Sequence, residues 1–215
     1  MKNYVAFLDF QHLDHPVFLK SFAQSLSQHK NRQGIIIHGD SEYTNRLMQT
    51  GMMREDARKR AIMDLNRRLV ALFADHGIST IGLQSYQKEL ISRQEDGTLK
   101  LNHDALQSLP ETPMLLLSSL INDGGKPTYV DPIELIQFLN KEISDSELVL
   151  FSQHQGSDIF KSNDDSMTLN WGKIPSEYAE KHLSEEQLKV TDRVILTTPM
   201  QFSEWPRLKN HSVIE

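Results

Sequence analysis

The chain contains no cysteine, and this absence excludes disulfide bonds, thiolate metal sites and a cysteine nucleophile. No apolar run approaches the roughly 20 residues that a membrane-spanning helix needs. Positive charge is also scarce: 23 Lys and Arg stand against 29 Asp and Glu, for a net charge of −6. This balance gives no support to binding of nucleic acid or of an anionic membrane. We therefore expect a cytoplasmic protein with neither kind of partner.

The length and composition are those of a folded globular protein. A chain of 215 residues, 38% hydrophobic and 24% charged, is long enough to bury a core as one large domain or as two tightly joined lobes. The first ten residues superficially resemble a signal peptide. However, Asp9 interrupts the apolar run and no small-residue cleavage site follows, so this stretch is predicted to be a first strand.

Strand-like and helix-like segments alternate along the first 152 residues. Short apolar, β-branched or aromatic runs predict strands, and apolar residues at helical spacing predict helices. The predicted strands are 4–10, 35–37, 78–83, 114–120, 148–151 and 194–197; the predicted helices are 16–29, 41–50, 55–76, 131–141 and 184–189. Residues 86–101 contain the turn signal Glu95-Asp96-Gly97 and predict a hairpin. This alternation predicts a three-layer α/β/α sandwich with an open, mostly parallel sheet.

Several short motifs along residues 3–152 resemble, in order and spacing, those of the amino acid kinase family, which includes acetylglutamate kinase. These are His38-Gly39 after an apolar strand, Gly51-Met52 followed by Asp56, Asn66 with Leu69-Val70 in the long helix, Gly82-Leu83, and 148–152 followed by Gly156. The resemblance implies an amino acid kinase-like fold with a substrate-side lobe over 1–147 and a shortened nucleotide-side lobe over 148–215, together forming one compact domain.

The same resemblance implies where a ligand would bind. Substrate would lie against His38, Gly39, Asp40, Ser41 and Arg54. Nucleotide would contact Ser152, Gly156 and Lys173, and the catalytic residues would be Lys173 and Asp131.

The groups that the family uses for phosphoryl transfer are largely replaced. The lysine of the first strand falls at about Phe7, and its paired glycines fall at Asp9-Phe10. At the second glycine loop only Gly39 is kept. Phosphoryl transfer depends on positive charge and on backbone N–H groups around the transferred group. We therefore expect the kinase activity to be lost.

Two hypotheses about function follow. In the first, the protein is a non-catalytic relative, a pseudoenzyme that acts as a dimeric ligand-binding or protein-interaction module. In the second, it is a divergent ATP-dependent kinase of a small carboxylate or phosphate acceptor, using Lys173, Arg54 and a Mg²⁺ ion held by Asp40 or Asp131. An unrelated α/β binding fold is a third alternative.

Two features have an ordinary structural interpretation beside the functional one. His38, at the end of a strand, is either a ligand-facing residue or a structural hydrogen-bonding residue. Asp9, Asp40 and Asp131 are expected to meet at the carboxyl ends of neighbouring strands. There they would either hold Mg²⁺ through oxygen ligands or serve as helix caps. The cap interpretation is favoured, and no metal site is assigned.

Overall fold

A computed structural model describes residues 3–29, 34–110, 114–152, 168–209 and 211–215. The helices are α1 Phe10–Leu13, α2 Pro16–Gln28, α3 Tyr43–Gln49, α4 Arg54–Asp75, α5 His103–Gln107, α6 Pro132–Glu142, α7 Ser176–His182 and α8 Pro199–Phe202. The strands are β1 Asn3–Leu8, β2 Gly34–His38, β3 Thr80–Gln84, β4 Ile91–Arg93, β5 Leu99–Leu101, β6 Met114–Ser118, β7 Leu120–Asp123, β8 Lys126–Tyr129, β9 Ser146–Phe151, β10 Thr168–Leu169, β11 Val194–Thr197 and β12 Ser212–Ile214. Within these ranges no helix is both long enough and apolar enough to cross a membrane.

The described strands form a large sheet and a small one. The large sheet has eight strands in the order β10-β12-β11-β9-β1-β2-β6-β3. The run from β11 to β3 is parallel throughout, and β12 pairs antiparallel to β11. The small sheet has four strands in the order β5-β4-β7-β8. The carboxyl ends of six parallel strands therefore share one edge of the large sheet.

Alternate residues of the central strands pack against different helical layers, since successive side chains of a strand point to opposite faces. Ala6, Ile36 and Leu116 belong to a core with Phe22 of α2 and Leu69 of α4. Their strand neighbours, Val5, Ile37 and Leu117 among them, belong to a second core with α6 and the small sheet. The predicted three-layer sandwich with a mostly parallel sheet is confirmed.

The structure differs from the sequence prediction around the hairpin β7–β8. No strand is predicted between residues 120 and 148, but β8 pairs antiparallel with β7 across Gly124 and Gly125. Both glycines have positive φ, as a tight hairpin turn requires. Pro127 argues against a central strand, and it is accommodated because β8 is an edge strand.

The region after residue 168 also differs from the prediction. The predicted helix over 184–189 is wrong in extent, because the described chain forms α7 earlier and only a short 3₁₀ turn at Gln187–Lys189. Strands β10 and β12 were not predicted, since both are three residues or shorter and carry too little periodicity to be recognised.

Candidate functional site

The carboxyl edge of the large sheet is lined mainly by polar residues. Because parallel strands end at the same edge, the residues that follow them are brought together there. The residues that follow the strands are Asp9 after β1, Gly39 and Asp40 after β2, Ser85 after β3, Ser119 after β6, Ser152 after β9 and Thr198 after β11. This edge is the candidate functional site.

The end of β1 is closed by a buried pair, Asp9 and His12. Asp9 is 0% exposed and caps α1, accepting a hydrogen bond from the backbone N–H of His12 at 3.0 Å. The same carboxylate oxygen lies 3.0 Å from Nδ1 of His12. Burial alone would raise the pKa of Asp9, but the hydrogen bonds and charge of His12 outweigh it and lower that pKa. The position where the resemblance places paired glycines is therefore filled by a carboxylate and an imidazole.

Ser152, at the end of β9, belongs to the same buried network. Its carbonyl oxygen lies 3.4 Å from Nε2 of His12, and its hydroxyl lies 3.3 Å from Nδ1 of His182 in α7. Its backbone N–H donates to the carbonyl of Thr197 at 2.9 Å. These contacts of Ser152 join β9, β11 and α7. Gly156, which is also predicted to contact nucleotide, lies outside the described residues.

His38, at the end of β2, is a buried and neutral histidine. Its Nδ1 lies 3.1 Å from the carbonyl oxygen of Gly39, and Nδ2 of Asn66 lies 3.1 Å from its Nε2. This arrangement fits an imidazole that donates from Nδ1 and accepts at Nε2. Burial lowers the pKa of His38 to about 4. Both ring nitrogens are engaged by the protein, as the structural interpretation of this residue requires.

Gly39 lacks a side chain because Pro132 lies against it. A Cβ atom at this position would come within 2.7 Å of Cγ of Pro132, the first residue of α6. The preceding Asp131 caps α6, accepting a hydrogen bond from the backbone N–H of Ile133 at 2.9 Å. The packing of α6 therefore explains why residue 39 is a glycine, and close approach of a ligand is not needed to explain it.

Asp40 is held by an arginine from α4. Its carboxylate lies 3.3 Å from Nε of Arg58 and accepts from the backbone N–H of Ser41 at 2.7 Å. The guanidinium carbon of Arg58 lies 4.4 Å from the centre of the Tyr129 ring, a cation–π arrangement. Arg58 thus bridges the β2 loop and strand β8.

Arg54, the arginine predicted to hold substrate, is the exposed first residue of α4. Arg58 lies four residues later, on the same face of the helix and one turn further in. That spacing could have identified Arg58 as the alternative. The ring of Tyr129 comes from an edge strand that was not predicted, so its contact with Arg58 had no sequence signal.

A further carboxylate, Glu186, reaches this edge from the loop after α7. Its Oε2 accepts a long hydrogen bond, 3.4 Å, from the backbone N–H of Phe10. Burial raises the pKa of Glu186, and the carboxylates of Asp9 and Asp131 raise it further. Burial also raises the pKa of the Tyr129 hydroxyl, and Glu186 adds to that effect. We call the six residues that act on one another here the edge cluster: Asp9, Asp40, Arg58, Tyr129, Asp131 and Glu186.

The edge cluster carries more negative than positive charge. Arg58 opposes the effect of the carboxylates on Tyr129, and Lys189 opposes their effect on Glu186. Within the described ranges, no three His, Asp or Glu side chains are arranged to hold a metal ion. The carboxylates of Asp9, Asp40 and Asp131 are instead used as helix cap, ion pair and helix cap respectively.

Lys173, predicted as catalytic, lies near the opposite end of the sheet. It is exposed in the 3₁₀ turn Trp171–Lys173, which follows β10. Strand β10 runs with β12 and against β11, so it ends beside the amino ends of β9 and β11. Nε1 of Trp171 donates to the carbonyl of Asp192, just before β11, at 2.8 Å. The structure therefore does not bring Lys173 to the edge cluster.

The cavity next to Ser152 is small and mainly apolar. It has a volume of about 60 Å³ and is lined by residues of α2 and α8, including Val17, Phe18 and Met200. Pockets that enclose a small-molecule ligand are roughly 300–1,000 Å³. This cavity is therefore by itself too small to enclose a nucleotide.

Comparison with known proteins gives a structural match and no sequence match. No family profile and no curated protein matches the sequence. An isopentenyl phosphate kinase structure matches with a TM-score of 0.63 and 12% identity, over 99% of this chain and 100% of the other. N-acetylglutamate synthase from Neisseria gonorrhoeae matches with a TM-score of 0.64 and 17% identity, over 99% of this chain and 59% of the other. Aspartokinase III from E. coli matches with a TM-score of 0.62 and 10% identity, over 100% of this chain and 65% of the other.

These proteins are members of the amino acid kinase family. The chain has the amino acid kinase fold. The fold predicted from the motif order is confirmed, and the match to isopentenyl phosphate kinase spans the full length of both chains to within one percent. At 10–17% identity the likeness establishes the fold and leaves the chemistry to be argued from the residues at the edge of the sheet.

Proposed function

We propose that this protein is a small-molecule-binding member of the amino acid kinase fold that does not transfer phosphoryl groups. The observation that carries the proposal is the buried pair Asp9–His12 at the end of β1. This pair fills a position at which the resemblance implies glycines and close approach of a phosphate. The carboxylates of Asp131 and Glu186 are also near this position, since Asp9 and Asp131 both raise the pKa of Glu186.

Electrostatics support this proposal. Two unit charges about 4 Å apart interact by about 4 kcal/mol at an effective dielectric constant of about 20. A polyphosphate against the edge cluster would meet four carboxylates, with Arg58 already paired to Asp40 and Lys189 at the rim. Because Asp9 and Asp40 are already paired with His12 and Arg58, this repulsion falls mainly to Asp131 and Glu186, and it opposes the negative charge of a transferred phosphoryl group.

Steric fit supports it as well. The space at Gly39 is taken by Pro132, and the cavity at Ser152 has a volume of about 60 Å³. Pro132 thus closes off one side of the Gly39 backbone, and the cavity at Ser152 is by itself too small to enclose a nucleoside triphosphate. The edge of an open α/β sheet still offers a crevice for a smaller molecule without a triphosphate.

The test combines binding with turnover. Thermal unfolding would be followed with ATP and ADP, each with and without Mg²⁺, and phosphate release would be measured with small carboxylate and phosphate acceptors. A ligand at a hundred times its dissociation constant stabilises the folded state by about 2.7 kcal/mol. We expect no shift in melting temperature at millimolar nucleotide and no acceptor-dependent turnover. Acceptor-dependent ATP consumption would refute the proposal.

The second candidate function is an ATP-dependent small-molecule kinase, because structures that match this chain along its whole length are isopentenyl phosphate kinases. ATP and Mg²⁺ would then be required, and the resemblance would make Lys173 and Asp131 the catalytic residues. Their positions at opposite ends of the sheet count against this candidate. Lys173→Ala would abolish turnover, whereas Lys181→Ala, at another exposed lysine, would not. Equal activity of the two variants would remove the residue on which this candidate depends.

A further inference from the structure

A second, larger cavity lies against the β4–β5 hairpin, and none of its lining residues belongs to the edge cluster. Its volume is about 510 Å³, within the roughly 300–1,000 Å³ range of small-molecule sites. The residues that matter for its chemistry are Glu89, Ser92, Gln94, Lys100, His103 and Asp104. The lining is polar and carries both signs of charge.

The register of the hairpin places part of this lining on its outer face. Ser92 of β4 pairs with Lys100 of β5, and the neighbouring pair is Ile91 with Leu101. Ile91 and Leu101 are buried in the core beside α6. Because side chains alternate along a strand, Ser92 and Lys100 project away from that core. The cavity therefore faces outward, with the core of the protein behind the hairpin.

The backbone beside the cavity adopts an unfavourable conformation. Lys88 and Glu89 have φ values of 55° and 51°, in the left-handed region that side chains other than glycine rarely occupy. The buried residues Leu90 and Ile91 follow at once and donate to the carbonyls of Gln87 and Ser85. Such strain persists where the surrounding structure fixes it, and it is concentrated at ligand sites. In this protein the strained backbone at Lys88 and Glu89 places Glu89 in the lining of the cavity.

A side-chain hydrogen bond joins the lining of the cavity to α6. Nε2 of His103 lies 3.1 Å from Oε2 of Glu142, near the end of α6. Arg93, which follows Ser92 on the other face of β4, pairs with Glu134 of α6 at 3.1 Å. Strand β4 and the start of α5 are thus each joined to α6 by one side-chain contact.

We propose that this cavity binds a small zwitterion, a molecule that carries one ammonium group and one carboxylate group. The ammonium group is recognised by the carboxylates of Glu89 and Asp104, and the carboxylate group by the ammonium of Lys100. The side chains of Ser92 and Gln94 offer neutral hydrogen bonds to the remainder of the ligand. A mixed lining disfavours dianions and dications, each of which would meet a like charge.

The test uses the twenty standard amino acids as probes, with binding followed by calorimetry and by backbone amide NMR shifts. We expect at least one of them to bind the wild-type protein and to shift the amides of Ser92, Lys100 and Asp104. Lys100→Glu should weaken that binding by about tenfold or more, because a charge-assisted hydrogen bond is replaced by repulsion. Lys126→Glu, at an exposed lysine of the same small sheet, is the matched control and should bind as the wild type does.

Three results would overturn the proposal. The first is that no amino acid binds, and the second is that Lys100→Glu binds as tightly as the control. The third is that the shifted amides lie at the edge cluster. Glu89→Gln, which keeps the shape of the side chain, replaces Lys100→Glu if that variant does not fold. Because nucleotide turnover does not enter this test, its outcome is separate from that of the proposed function.

Discussion

The pH dependence of stability tests whether the imidazole of His38, at the end of β2, is buried and neutral in the folded protein. Burial lowers the pKa of His38 from 6.5 to about 4. Since the folded-state pKa lies below that of the unfolded chain, protons bind the unfolded chain preferentially. Above pH 6.5 both states are neutral at this site, and its contribution to stability is complete. That contribution is lost as the pH falls from about 6.5 to about 4.

The magnitude follows from the difference between the two pKa values. Each pH unit between them is worth 1.36 kcal/mol, so the full loss is about 3 kcal/mol, of which about 2 kcal/mol appears by pH 5. Typical domains are stable by about 5–15 kcal/mol, so this loss is readily measured.

The assay is urea unfolding at a series of pH values from 7 to 5, with His38→Gln compared with the wild type. Gln does not titrate and still offers one donor and one acceptor, so the variant should lose about 2 kcal/mol of the pH dependence over this range. The matched control is His103→Gln, at a histidine that is 53% exposed, which should keep that dependence. The reasoning is wrong if His38→Gln retains the wild-type pH dependence, or if NMR titration places the pKa of His38 near 6.5.

Three further substitutions test the packing of the site, each by urea unfolding. Gly39→Ala should destabilise the protein by about 1–3 kcal/mol through overpacking, and adding Pro132→Ala should recover part of this loss; simple additivity would contradict the contact. Arg58→Ala should cost about 1–2 kcal/mol by removing an ion pair and a cation–π contact, whereas Arg54→Ala should change stability by less than about 0.5 kcal/mol. Asp9→Asn should destabilise the protein by about 2 kcal/mol. It should also reduce the loss of stability of the protein below about pH 4, because the pKa of this carboxyl is lowered in the folded state. If the variant loses stability below pH 4 as the wild type does, the buried pair is contradicted.

Most of the large sheet could be predicted from local sequence. The central strands are apolar on both faces and the helices between them carry a single apolar stripe, so each pattern identifies its element without knowledge of the rest. Strand 194–197 was predicted with the bounds that β11 has in the structure. The hairpin β7–β8 was missed because Pro127 is compatible with a strand only at an edge, and edge position is a property of the assembled sheet.

The candidate site could be predicted only in part. Gly39, Asp40, Asp131 and Ser152 were named because of the resemblance, and Asp9, Asp40 and Asp131 were expected to meet because parallel strands end together. Arg58 and Glu186 were not identified, because what brings them to this edge is the packing of α4 and of the loop after α7. In the sequence, the neighbours of Arg58 and of Glu186 are equally compatible with a charged residue exposed to solvent.

The sequence by itself determined the fold class, since that class depends on which pattern of residues follows which along the chain. Tertiary structure alone decided which elements pack around the residues at the ends of the strands. That Gly39 faces Pro132, that Asp40 meets Arg58 and that Glu186 reaches the end of β1 depends on contacts between segments far apart in the sequence. The position of Lys173 was also decided by tertiary structure. Lys173 follows β10, and the pairing of β10 with β12 and of β12 with β11 sets the edge of the sheet at which β10 ends.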